Sequence, residues 1–89
     1  MKYAFRFTAL AHRQLRSIDR QQAMHILTAL TALGDDPDRD DADTKKLTGH
    51  HGLYRLRVGG FRVVYEIQND VLVILVVHAG DRRVAYRGL

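Results

Sequence analysis

Arginines crowd two short stretches of this chain. Arg55, Arg57 and Arg62 lie close together, and Arg82, Arg83 and Arg87 follow near the end with Tyr86 among them. A guanidinium is planar, always charged and able to grip two phosphate oxygens at once. An aromatic ring among such groups can stack on a base while the cations hold the backbone. These residue types therefore suit an anionic polymer, with nucleic acid the first candidate. An arginine-rich face can also cleave RNA, because the ribose 2′-hydroxyl supplies the nucleophile. The protein then need only align it and stabilise the charge building on the phosphate oxygens. Each pre-aimed donor is worth about 3–4 kcal/mol, and a general base about 10²–10⁴-fold. Residue types alone do not separate cleavage from binding, nor either from a solvated face whose charge Glu66 and other carboxylates spread.

Other chemistries find little support. The chain has no cysteine, which removes disulfides, thiolate metal sites and cysteine nucleophiles. It holds no Ser-His-Asp arrangement and no phosphate-binding glycine loop. His50 and His51 invite zinc, but adjacent residues rarely both reach one ion, and a surface loop is the better reading. The six aspartates between Asp35 and Asp43 lack the glycine and terminal glutamate of a calcium loop. No cofactor and no metal are expected.

At 89 residues, 46% hydrophobic and 27% charged, the chain is expected to form a single domain over residues 1–89. Its net charge of +4 is uneven. Residues 1–43 carry six Lys/Arg against seven Asp, whereas residues 44–89 carry eight Lys/Arg against three acids. The anionic partner is therefore expected on the C-terminal half. The longest apolar run, Val71 to Val77, is far short of the ~20 residues of a membrane span. The N-terminus does not read as a signal peptide, so a cytoplasmic protein is expected.

The elements that must position the arginines can be read from periodicity. Tyr3, Phe5 and Phe7 alternate with Ala4 and Arg6, as in a half-buried strand. Thr8 suits the N-cap of a helix with Leu10, Ala11, Leu15 and Ile18 on one side. Asp19 suits the N-cap of a second, with Ala23, Ile26, Leu27, Leu30 and Leu33 as its apolar stripe and Gly34 at its C-terminal end. A polar connection from Asp35 to Gly52 leads into Leu53–Val58 and Phe61–Ile67, joined by Gly59-Gly60. Two glycines in a two-residue loop suggest a type I′ hairpin. Residues 58, 57, 56, 55 and 54 then face 61, 62, 63, 64 and 65. One face collects Tyr54, Leu56, Val58, Phe61, Val63 and Tyr65 for the core. The other collects Arg55, Arg57, Arg62, Val64 and Glu66, with Arg57 directly opposite Arg62. Val71–Val77 is apolar throughout, as in a central strand covered on both sides. The order is β-α-α-β-β-β: an α+β fold, a small antiparallel sheet with a helical hairpin on one face.

The run from Lys46-Leu47 through Gly52-Leu53-Tyr54-Arg55-Leu56-Arg57-Val58-Gly59-Gly60-Phe61-Arg62-Val63-Val64-Tyr65-Glu66-Ile67, followed by Val76-Val77-His78-Ala79-Gly80-Asp81-Arg82-Arg83-Val84-Ala85-Tyr86-Arg87, resembles the RelE/ParE toxin superfamily. The resemblance implies a RelE-like fold and the toxin of a type II toxin–antitoxin pair. Its RelE-like branch cleaves mRNA in the ribosomal A site, without metal, by 2′-hydroxyl attack on the adjacent phosphate. The implied partners are a cognate antitoxin, mRNA and the 70S ribosome. By residue, it implies catalytic roles for Arg57, Arg62, Arg82 and Tyr86, and RNA binding by Arg55, Lys45, Lys46, Arg83 and Arg87. The best-known RelE pattern has lysines where Arg55 and Arg57 stand, one of them a proposed general base. Arginine stays protonated at physiological pH, which leaves His78 and Glu66 as candidate acid/base groups. Two other readings remain: a ParE-like DNA gyrase poison, and a non-catalytic module that binds RNA or protein.

Overall fold

The alternating aromatics at the N-terminus form strand β1 (Ala4–Phe7), and Thr8 turns it directly into helix α1 (Ala9–Ser17). Thr8 is the expected N-cap: its side chain accepts from the Ala11 N–H at 3.1 Å. The same hydroxyl donates to the Val77 carbonyl at 3.2 Å. Asp19 caps α2 (Arg20–Asp35) by accepting from the Gln21 N–H at 3.1 Å. The chain continues as β2 (Thr44–Lys46), β3 (Leu53–Val58), β4 (Phe61–Gln68) and β5 (Val73–Asp81). The structure, a computed structural model, describes residues 3–36, 43–47 and 52–81.

The strands form one sheet in the order β1-β5-β4-β3-β2. Two features go beyond the expected antiparallel sheet. β1 pairs with β5 in parallel, Ala4 opposite Val73 and Phe7 opposite Val76. β2 is an additional antiparallel edge strand, with Lys45 opposite Arg55. It is three residues long, too short for periodicity to reveal. The β3–β4 register is the expected one throughout, including Arg57 opposite Arg62. The loop itself differs from expectation. Gly59 has φ +58° while Gly60 does not adopt a positive φ, which is the pattern of type II′, where only the first central residue needs a left-handed backbone.

The core lies between the helices and one sheet face. Ala11, Ile26, Leu30 and Leu33 pack against Leu56, Val63, Tyr65, Ile74 and Val76. Tyr54 and Tyr65 are cross-strand partners with rings 5.8 Å apart and stacked, as core residues. Leu10 and Leu27, grouped by spacing with the buried stripes, instead stand 40% exposed. Gly34 does not end α2. It lies buried in the last turn, and its carbonyl accepts from the Tyr3 N–H at 3.0 Å, fixing the start of β1. Val71 and Leu72 precede β5 in an exposed turn, with Leu72 at φ +52°.

The hairpin geometry gives a direct check. Gly59→Ala is expected to cost about 1–2 kcal/mol, the usual penalty of a left-handed backbone for an L-residue, whereas Gly60→Ala should stay within about 0.5 kcal/mol. Urea unfolding of the two variants measures both, and equal losses would indicate a type I′ loop instead.

Candidate nucleic-acid interface

The register places the basic residues in two rows across the sheet face opposite the core. Arg57 faces Arg62 on β4, and Arg62 faces Gly80 on β5. The Arg57 N–H donates to the Asp43 carbonyl at 2.9 Å, so Asp43 lies opposite Arg57 on its other side. The first row therefore reads Asp43, Arg57, Arg62, Gly80. The second reads Lys45, Arg55, Val64, His78. Glycine opposite Arg62 leaves that position of β5 without a side chain, although the glycine itself is buried and Arg62 is partly buried. Lys46 faces Tyr54 and falls on the helix side of the sheet, because side chains alternate along a strand; it does not join the other cations.

This face is less open than a purely basic surface. Val64 is fully buried, His78 is 2% exposed and Arg55 is 7% exposed. Arg55, expected to hold RNA, is thus an interior cation. It donates from Nη1 to Asp43 Oδ1 at 3.1 Å. Arg57 reaches the second oxygen, Oδ2, through Nε at 3.6 Å, and its side chain is 47% exposed. One carboxylate therefore stands between two guanidinium groups. Directly opposed like charges destabilise a sheet, and Asp43 offsets that cost where Lys45, Arg55, Arg57 and Arg62 accumulate.

The candidate acid/base groups are arranged differently from each other. Glu66 is four positions from Arg62 along β4, about 13 Å at the strand rise, and accepts from Gln68 Nε2 at 3.0 Å. The register does not bring it to the arginine pair. His78 is on the adjacent row to Arg62, buried, with its Nε2 3.4 Å from the amide nitrogen of Gln14. Gln14 also accepts from the Ala79 N–H through Oε1 at 2.8 Å. That bond satisfies the edge of β5 beyond the last residue paired with β1. Arg82, Arg83, Tyr86 and Arg87 lie outside the described residues.

Sequence reasoning missed Asp43, Gln14 and Gly80. Asp43 reads as one aspartate in an acidic loop until β2 is recognised; once Lys45 is set opposite Arg55, its place beside Arg57 follows. Gln14 carries no periodicity signal, since it is a polar residue working at a sheet edge.

On the helix side a second surface is apparent. A groove of about 270 Å³ is lined by Phe7, Leu15, Ala23, Leu27 and the edges of His12 and Arg16. Leu10 and Met24 are exposed on the same two helices.

Comparisons with known proteins agree on one group. A family model described as the ParE toxin of type II toxin–antitoxin systems matches residues 5–86. The chain is 31% identical over 84 residues to a RelE-like toxin protein of Escherichia coli, covering 92% of this chain and 85% of that one. It is 38% identical over 45 residues to toxin RelE3 of Methanocaldococcus jannaschii, a match that spans 51% of this chain and 43% of that protein. Among solved structures, the archaeal RelE–RelB complex of Pyrococcus horikoshii superimposes with a TM-score of 0.77 at 27% identity, covering 92% of this chain and 97% of that chain. The isolated Escherichia coli RelE toxin gives 0.75 at 21% identity, covering 89% and 83%, a likeness of fold.

The two arginines bound to Asp43 are expected to separate in their effects on stability. Arg55→Ala should lower unfolding free energy by about 2–3 kcal/mol, because it removes buried packing together with a charge-assisted hydrogen bond to Asp43. Arg57→Ala should change it by less than about 1 kcal/mol, as for other exposed ion pairs. Chemical denaturation of both variants reads the difference.

Proposed function

Since the chain belongs to the ParE toxin family of type II toxin–antitoxin systems, within the RelE/ParE superfamily, we propose that it is an mRNA endoribonuclease acting in the ribosomal A site. The observation that carries this reading is the row formed by Arg57, Arg62 and Gly80: two cations side by side next to a position with no side chain. A phosphodiester lying along such a row meets two guanidinium groups, with no β5 side chain at Gly80 to compete for Arg62. In this reading Arg62 and Arg57 bind the scissile phosphate and stabilise the charge that develops when the 2′-hydroxyl attacks. The P–O bond to the next nucleotide then breaks, leaving a 2′,3′-cyclic phosphate and a 5′-hydroxyl. Arg82, which keeps its own proton, shares the charge on the leaving oxygen, the 2′-hydroxyl proton passes by way of the proton carrier to that oxygen, and Tyr86 stacks on the base. Lys45, Arg83 and Arg87 hold the flanking backbone, and Arg55 contributes from beneath as a buried cation. His78, on the row beside Arg62, is the better placed of the two candidate proton carriers. The chemistry as written needs no metal or cofactor.

The implied regulator is an antitoxin, in keeping with the RelB partner of the similar archaeal toxin. Its apolar segment is proposed to cover the groove of Phe7, Leu15, Ala23 and Leu27, which stands open among the described residues. Toxin and target are proposed to meet in the cytoplasm; no helix among the described residues is long and apolar enough to cross a membrane.

A second reading is favoured by the family model, whose description is that of a ParE toxin: inhibition of DNA gyrase, with the arginine face serving only to bind. One experiment separates the two. Purified protein is added to a translation extract and mRNA 5′ ends are mapped by primer extension, alongside a gyrase supercoiling assay. Codon-positioned cuts are expected, falling at least about 10²-fold in Arg62→Ala and in Arg57→Ala, the usual cost of an oxyanion donor. Intact mRNA with blocked supercoiling would establish the gyrase reading; salt-dependent RNA binding with neither effect would establish a binding module.

A further inference from the structure

We propose that Asp43 is a positioning residue that sets the Arg57 guanidinium for phosphate, an inference that rests on the reading of this face as an RNA site. Asp43 is anchored before its side chain acts, because its carbonyl accepts the Arg57 N–H at 2.9 Å and holds it opposite Arg57 in the sheet. Its two oxygens then take one guanidinium each, Oδ1 the buried Arg55 at 3.1 Å and Oδ2 the half-exposed Arg57 at 3.6 Å. Arg55, with little freedom to move, serves as the fixed end of this three-residue chain. Arg57 is a long, exposed side chain that would otherwise sample many rotamers, and its like-charged neighbour Arg62 would push it away. Contact through Nε engages the side edge of the half-exposed guanidinium, so the pair of terminal nitrogens, the fork that grips phosphate, is a separate donor set. An acidic residue on an RNA-binding face would be expected to weaken binding through repulsion. Here its value is orientation, and the two effects have opposite signs.

That difference in sign makes the test. Asp43→Ala, Asp43→Glu, Arg57→Ala and the Asp43→Ala/Arg57→Ala double variant of the full chain are compared for affinity to a single-stranded RNA oligonucleotide and for single-turnover cleavage in a translation extract. Although Asp43→Ala makes the protein more positive, it is expected to bind and cleave about 10-fold less well, as for a displaced catalytic group. In the Arg57→Ala background the same change should cost nothing further, and Asp43→Glu should recover part of the loss. Comparing backgrounds cancels any general destabilisation through Arg55. Tighter binding by Asp43→Ala, or an equal loss in both backgrounds, overturns the inference. If the wild-type chain neither binds nor cuts RNA, the ribonuclease reading fails separately, and the Arg57 Nε–Hε proton resonance decides this one. Its solvent exchange should speed up several-fold in Asp43→Ala while that of the exposed Arg6 is unchanged; an unaltered Arg57 signal would overturn the proposal.

Discussion

A two-residue connection between β3 and β4 leaves no slack in their pairing, and the rest of the molecule depends on that register. Side chains alternate with a period of two, so a slip of one residue would drive Arg55, Arg57 and Arg62 into the core and expose Leu56, Val63 and Tyr65. Burial of the stacked tyrosines and their aliphatic neighbours therefore fixes where the cations stand. Gly59 supplies the one left-handed residue the loop requires. The apolar face selects the register, and the charged face inherits its geometry from that selection.

The charged face has its own internal logic. Four basic residues on neighbouring strands would be unfavourable if left alone, and one of them, Arg55, is buried. The short edge strand β2 brings Asp43 to the one place where a single carboxylate reaches two of them. What looks from composition like a uniform basic surface is thus graded: an interior cation, a bridging acid, the exposed Arg57 and the partly buried Arg62, ending at a buried glycine.

The fold was legible in the sequence wherever hydrophobic periodicity and local capping act alone. Both N-caps, both helices, the β3–β4 register and the Val73–Val77 part of β5 follow from spacing and turn residues, whereas Val71 and Leu72 fall in the preceding turn and β5 runs on to Asp81. The parts that were not legible depend on contacts distant in the chain. Parallel pairing of β1 with β5 is a tertiary choice with no local signal, and β2 is too brief for a pattern. Leu10 and Leu27 fit the helical stripes yet stand 40% exposed, so spacing overstates their burial. Of the site, the opposition of Arg57 and Arg62 was readable by arithmetic along the hairpin. The burial of Arg55 was not, because it depends on β2 closing the sheet beside it, and the displacement of Lys46 to the helix side follows from that same strand.

The outer margin of β5 has a further consequence. β1 accompanies it only as far as Val76, and an unguarded strand margin invites backbone pairing with another molecule. Thr8 occupies the carbonyls of Val76 and Val77, and the Gln14 side chain takes the Ala79 amide hydrogen, so α1 substitutes for the missing strand with side-chain and main-chain groups together. The Val76 and Val77 carbonyls and the Ala79 amide hydrogen are thereby engaged within the molecule and are not offered to the backbone of a second copy.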